Sequence, residues 1–346
     1  LPPTSPDPPA PPPSQPSPPP SPPLPLALGG ECGESLVVVG SRPDGTNMQG
    51  ARAVTYDATT ERALVASPDA DSLSVVDVSD PTGPAVVGFV IDGTSLDGAC
   101  GVAYDAVNLR ALVVSGGADT LSVINVAVPA SPTVLGTLND GTALHGACGV
   151  AHDDARQLAF VASGDASSVA VVNTAVSGTP TLAGTVTHAA LDGAVGICYD
   201  AANQRVLVAS ERADSLSVVN VATSSSPAVL GHVVDTSRLN GATGVACGGS
   251  LAFVASAAGD SLTVVDVSDP AQPWVVGTVT DAVHLGGASS VSYDASTQRV
   301  FVASANSDSL AVVDVSAPAN PTVIGTFTDA TNLDGATGVH YDAPTE

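Results

Sequence analysis

Apolar residues in this chain come in short valine-rich runs, broken every few positions by Gly, Pro, Asp, Asn or Ser, and no stretch keeps a helical period for long. In one representative stretch, CGVAYD (Cys100 to Asp105), ALVVS (Ala111 to Ser115), LSVINV (Leu121 to Val126) and TVLGTL (Thr133 to Leu138) follow one another with turn residues between them. Runs of this length and composition predict β-strands. The two middle runs are apolar on both alternating faces, which predicts strands covered on each side by a neighbouring sheet.

The same four runs recur. A Gly-Ala pair opens each unit at Gly50, Gly98, Gly146, Gly193, Gly241, Gly287 and Gly335, in steps of 46 to 48 residues. The residue opening the SLSVVDV-like segment falls at Leu73, Leu121, Val169, Leu216, Leu262 and Leu310, and a proline follows that segment every time, from Pro84 to Pro321. Self-similarity at this period marks stacked supersecondary units. Four antiparallel strands repeated about an axis make a blade of a β-propeller, so the expected fold is all-β with strands A (inner) to D (outer) in each blade.

Six complete units run from Gly50 to about Thr328. LVVVG (Leu36 to Gly40) sits ten residues before Gly50, as Gly88 sits ten before Gly98, and reads as an isolated strand D. GATGVHYD (Gly335 to Asp342) reads as an isolated strand A. The expectation is six full blades plus a split, incomplete seventh over residues 35–346, with the missing strands following Glu346; the alternative is a six-bladed ring. Unfinished blades leave unpaired strand edges. Residues 1–31 form a proline-rich arm, with fifteen prolines in residues 1 to 25, expected to be a disordered polyproline II spacer without a core. LPLALGG after it is too short to span a membrane or to be an intact signal peptide, and no other run is long enough, so no transmembrane segment is expected.

SLSVVDVSDPTGPAVVGFV (Ser72 to Val90) and SLTVVDVSDPAQPWVVGTV (Ser261 to Val279) resemble the LVIVD repeat, and SYDASTQRVFVAS (Ser292 to Ser304) is similar to the related YVTN-type repeats. The resemblance implies a β-propeller over about residues 36 to 342. It implies no single activity, because propellers of this kind serve as surface, adhesive and ligand-binding modules. Only two copies keep the full VSDP turn, at Val78 to Pro81 and Val267 to Pro270.

Nine arginines stand against 34 acidic residues, a net charge of -25 with no lysine. Such a polyanion repels nucleic acid and anionic membranes and leaves cationic partners or divalent ions as ligands. The acidity also keeps an apolar-rich β protein soluble and monomeric. Of the five cysteines, Cys32, Cys100, Cys148, Cys198 and Cys247, none has C-x-x-C spacing. The four within the repeats read as small buried hydrophobes. Cys32 stands apart and is a candidate for pairing outside the repeats. The Ser-Pro-rich arm points to an extracellular or cell-surface location.

Three polar positions recur. An aspartate ends strand A at Asp57, Asp105, Asp153, Asp200, Asp294 and Asp342, with an arginine five residues later in four copies (Arg62, Arg110, Arg205, Arg299). This reads as a structural hairpin pair, worth little if exposed. A second aspartate, from Asp71 to Asp308, precedes strand C and is expected to bond its own turn. The third opens the D-to-A loop at Asp44, Asp92, Asp140, Asp235, Asp281 and Asp329, four residues before an apolar residue (Met48, Leu96, Leu144, Leu191, Leu239, Leu285, Leu333 across all seven loops) expected to plug the loop onto the sheet ends. Between plug and glycine the residue varies: Gln49, Asp97, His145, Asp192, Asn240, Gly286, Asp334.

A constant frame carrying varied polar groups is where a ligand is expected, at Asp97, His145, Asp192, Asn240 and Asp334. No catalytic residues are assigned, because no serine or cysteine lies in a nucleophile motif and the histidines occupy unrelated positions. The leading expectation is a non-catalytic module that binds a protein or glycan through the D-to-A loop face, with no cofactor. The alternative is a Ca²⁺-dependent hydrolase or lactonase-like propeller using those carboxylates, since Ca²⁺ takes several oxygen ligands.

Overall fold

The computed structural model describes residues 36–342, all within the compact unit Glu34–Glu346. Among these residues, strands form six four-stranded antiparallel sheets, each built from four consecutive strands. In blade 2 the order is Ala99–Asp105, Arg110–Ser115, Thr120–Asn125 and Thr133–Asn139, the A, B, C and D strands. The only helical elements described are two 3₁₀ turns, Pro68–Ala70 and Ala189–Leu191. The expected proline-rich arm lies outside the described residues, as does Cys32. No described helix is long and apolar enough to cross a membrane.

The burial pattern explains the strand sequences. Every residue of strand B in blade 2 is buried, whereas strand D alternates between exposed and half-buried. β-branched residues fill such two-sided positions well. Ala111, Val113 and Ile124 of blade 2 meet Leu64, Ala66, Leu73 and Val75 of blade 1, while Leu112, Val114, Leu121 and Val123 turn the other way against blade 3. Five apolar cores of this kind join successive blades.

At the seventh position the described residues do not form the blade expected there. Neither Leu36–Gly40 nor Gly335–Asp342 belongs to a sheet. The C-terminal segment nevertheless touches both neighbours. Thr337 Oγ1 donates to the Ala51 and Arg52 carbonyls at 3.3 and 3.2 Å. The Tyr341 amide donates to Ser292 Oγ at 3.0 Å, and its ring stacks on Phe301 at 4.8 Å. Phe301 is only half-buried, although Leu112, Phe160, Leu207 and Phe253 at the same repeat position are fully buried.

Polar side chains tie the blades together. Tyr104 donates to Asp57 of the preceding blade at 3.0 Å, and Tyr199 to Asp153 at 2.7 Å. Of the four Asp–Arg pairs expected, two form as buried ion pairs: Asp105 and Arg110 are 0% and 5% exposed, Asp200 and Arg205 7% each, whereas Arg62 lies 3.9 Å from Asp77 instead of pairing with Asp57. Both arginines of the buried pairs also reach the next blade, Arg110 Nη1 to the Thr174 carbonyl at 2.9 Å and Arg205 Nη1 to the Val267 carbonyl at 2.7 Å. In blade 3, where Leu158 occupies the usual arginine position, Arg156 takes over, bonding Asp153 at 2.6 Å and the Val221 carbonyl at 3.0 Å. The pair is therefore a latch between blades, and its burial makes it energetically significant where it forms.

Two expectations are corrected. Cys198 and Cys247 are not inert apolar replacements but a disulfide joining the inner strands of blades 4 and 5. Cys247 stands where other units have the tyrosine, so a covalent tie replaces the hydroxyl tie there. The aspartate before strand C does not bond its own turn: Asp71, Asp119, Asp214, Asp260 and Asp308 accept the amide of the glycine opening the next unit, at 2.8 to 3.0 Å. Each sits at positive φ, from 46° to 54°, which aims the short carboxylate at the D-to-A loop rather than back along its own turn.

Candidate ligand face and axial cavity

The D-to-A loop is built from its aspartate outward. In the loop entering blade 2, Asp92 Oδ1 accepts the Thr94 amide at 2.9 Å and Asp92 Oδ2 accepts the Ser95 hydroxyl at 2.6 Å. These bonds hold the Asp92 carboxyl below its usual pKa, so the frame stays charged near neutrality. The Leu96 amide bonds the Asp92 carbonyl at 2.8 Å, and the Leu96 side chain is completely buried. Leu144, Leu191, Leu239 and Leu285 are equally buried. Strand C secures the loop from below, with Thr120 Oγ1 and Ser122 Oγ donating to the Ser95 carbonyl at 2.8 and 3.1 Å. Gly98 closes the turn at φ 67°, where a Cβ would lie 2.9 Å from the Gly117 nitrogen. The loop entering blade 4 has His188 in place of the aspartate; its Nδ1 accepts the Ala190 amide at 3.0 Å and caps a 3₁₀ turn instead.

This frame leaves the residue between plug and glycine at the surface, beside the B-to-C loop. Asp97, His145 and Asp334 are exposed, and Asp192 and Asn240 half-exposed. His145 Nδ1 lies 3.2 Å from Asp119. Arg212 of a B-to-C loop bridges Asp192 at 2.8 Å and Asp165 at 3.1 Å. Asp69, Asp165 and Glu211 on the B-to-C loops add exposed acids to the same end of the strands.

Below this face opens an axial cavity of about 760 Å³. Seven inner segments line it, including Gly335–Val339, so the C-terminal segment completes the axial wall although it forms no sheet. The third residue of each unit contributes to the wall: Arg52, Cys100, Cys148, Val195, Thr243, Ser289 and Thr337. Of the five residues singled out from the sequence, only Asp334 lines the cavity. The others stand on the loops around it.

Cys100 and Cys148 face each other on adjacent inner strands. The neighbouring Cys148 side chain, together with burial, pushes the Cys100 thiol well above its usual pKa. The proximity of Cys100 pulls the Cys148 pKa down, and the charge of Arg52 favours its thiolate further. Attention to exposed loop residues missed this wall. The signal was present, because the third residue of the unit varies in polarity while the residue before it is always Ala and the residue after it is Gly, Ala or Ser.

Among the described residues, one group of three His, Cys, Asp or Glu side chains places its ligand atoms within 4.8 Å of one another: Asp105, His152 and Asp154. His152 replaces the tyrosine that elsewhere bonds the preceding blade's aspartate, and its buried Nε2 has no partner. Burial lowers its pKa. Asp105 is already engaged by Arg110 and Asn108, so the cluster is first of all the inter-blade latch with a shorter side chain.

A family model of the LVIVD repeat matches residues 63–92, 241–281 and 296–329. The chain carries LVIVD repeats. No curated protein matches the sequence of this LVIVD-repeat propeller. Several solved structures share its fold. A protein from Lactobacillus plantarum is 14% identical with a TM-score of 0.72, covering 84% of this chain and 87% of that one. The periplasmic gluconolactonase of Pseudomonas aeruginosa is 14% identical with a TM-score of 0.67, over 80% of this chain and 84% of that one. A chain from a nidogen/laminin complex is 12% identical with a TM-score of 0.54, over 78% of this chain and 94% of that one. At these identities the likeness concerns the fold.

Proposed function

We propose that this LVIVD-repeat propeller is a non-catalytic, extracellular or cell-surface interaction module that binds a basic protein surface through its D-to-A and B-to-C loops. One observation carries the reading: a hydrogen-bonded frame led by an aspartate, or once by His188, recurs in the loops around the ring and holds Gln, Asp, His or Asn at one position, with Gly286 the exception. A frame so rigid costs little ordering entropy on binding, and varied groups on it provide specificity. The net charge of -25 and the exposed Asp69, Asp97 and Asp334 favour a cationic partner. The Cys198–Cys247 disulfide supports an oxidising compartment. The nidogen/laminin chain is a precedent for this fold within a protein complex.

A diffuse polyanion also attracts cations, so the test compares faces. Binding of an oligolysine peptide at physiological salt is measured for Asp69→Asn/Asp97→Asn/Asp334→Asn and for Glu61→Gln/Asp80→Asn/Asp269→Asn, whose exposed acids lie on turns at the other end of the strands. Three lost charge contacts at a few tenths to one kcal/mol each weaken binding by about tenfold. The loop-face variant should show this loss and the control variant little. Equal losses would reduce the acidity to a solubility device.

The gluconolactonase likeness and the axial cavity favour a second reading, a Ca²⁺-dependent lactonase with Asp334 at the cavity. Gluconolactone hydrolysis above the spontaneous rate, dependent on added calcium and lost in Asp334→Asn, would establish it. A Tm that rises with free calcium as mass action requires would report a specific ion site.

A further inference from the structure

The axial wall contains a pair of thiols that neither the inter-blade cores nor the loop face uses. Cys100 and Cys148 occupy the same repeat position on the inner strands of blades 2 and 3, and both line the cavity. They belong to none of the five apolar cores. At the other copies of that position stand Arg, Val, Thr, Ser and Thr, so packing does not demand cysteine. The two strands run very close: a Cβ on Gly101 would sit 2.3 Å from the Cys148 carbonyl. Cys100 Sγ lies 3.2 Å from the carbonyl of Ala147, the residue next to Cys148.

We propose that Cys100 and Cys148 form a thiol–disulfide exchange site in the axial cavity, which reduces small disulfides and closes a second covalent tie between blades. Cys148 is half-exposed and Cys100 buried, so Cys148 meets the reagent and Cys100 resolves the intermediate. Arg52, at the same position in blade 1, supplies positive charge that acts on both thiols. That charge favours a thiolate nucleophile and opposes capture of a metal cation by the pair.

The exchange balances without further reagents. Cys148 thiolate attacks one sulfur of a small disulfide RSSR; a Cys148–SR bond forms, the S–S bond of RSSR breaks, and RS⁻ leaves, taking up the proton that Cys148 released. Cys100, deprotonated in turn, attacks the Cys148 sulfur, expelling a second RS⁻ that takes up the Cys100 proton. Two protein thiols are oxidised to one disulfide and one small disulfide is reduced to two thiols. The Cys198–Cys247 bond, with Cα atoms 5.9 Å apart, is a precedent in this ring for a disulfide between adjacent inner strands.

The experiment uses the full chain carrying Cys32→Ser and glutathione disulfide as the probe, read by intact mass and non-reducing peptide mapping. The expected product has lost two hydrogens and has a peptide linking Cys100 to Cys148. With Cys100→Ser added, a glutathione adduct should accumulate at Cys148; with Cys148→Ser instead, the protein should remain largely unmodified. Separately, Arg52→Gln should slow iodoacetamide alkylation of Cys148 severalfold at neutral pH, a readout that does not depend on closing the bond. No Cys100–Cys148 link under conditions that leave Cys198–Cys247 oxidised would overturn the proposal. So would an adduct that forms equally on either thiol and is indifferent to Arg52.

Discussion

Removing Arg110 tests whether the inter-blade latches hold this ring together. Its guanidinium bonds Asp105 through Nε at 3.0 Å and through Nη2, and reaches the Thr174 carbonyl of blade 3 at 2.9 Å. Both partners are buried, so Arg110→Ala strands a carboxylate that retains only Asn108. Breaking a buried pair by removing one partner costs about 3–5 kcal/mol. For a chain of this size that lowers Tm by on the order of 5–15 °C. Burial raises the Asp105 pKa, but the bonds from Arg110 and Asn108 outweigh it and leave the pKa lowered. The sign follows: a depressed folded pKa contributes stability above the unfolded value of about 3.9, and this is lost as pH falls through the folded value. The deficit of Arg110→Ala in urea unfolding should therefore be full at pH 7 and shrink below about pH 4 as Asp105 becomes protonated in both states. The double variant Asp105→Leu/Arg110→Met should lose less than the single one, because no buried charge remains unpaired. A single-variant cost under about 1 kcal/mol, typical of a solvated pair, or a deficit that ignores pH, would refute the latch.

Other consequences are open to direct measurement. Leu144→Ala, at a fully buried plug, should cost about 2–5 kcal/mol and speed hydrogen exchange in the loop carrying His145. Reducing Cys198–Cys247, which spans a separation of 49 residues, should lower stability by up to about 4 kcal/mol on the loop-entropy estimate, seen as a Tm drop that Cys198→Ser reproduces. Asp294 is buried yet held at a pKa of about 2, because hydrogen bonds led by Thr297 and Ser296 outweigh its burial. It should stabilise the fold above the unfolded aspartate value and lose that contribution as pH falls toward about 2, so Asp294→Asn should flatten the acid limb of an unfolding titration.

The fold was legible because a repeat states its geometry many times over. The period, the two-sided burial of strands B and C, and the plug leucines all follow from apolar spacing, and one face of each blade predicts the next. The cysteine pairing was not legible, because it crosses repeat columns. Cys198 and Cys247 occupy different positions within their units, and only the stagger between neighbouring inner strands brings them together. Asp71 and its equivalents misled for a similar reason: their partner lies 27 residues away, on the next unit's opening glycine. The candidate face was half legible. Varied residues on a constant loop stand out in sequence, whereas the third position of the unit lies at the start of strand A, and its variation acquires meaning only once seven copies surround a cavity.

Carbodiimide crosslinking of the oligolysine peptide to the wild-type chain, mapped by mass spectrometry, examines the ligand face itself. Crosslinks concentrated at Asp69, Asp97 and Asp334 are expected if the loops form the interaction surface. Crosslinks spread equally over Glu61, Asp80 and Asp269 at the other end of the strands would mean that the repeating frame holds up no such surface.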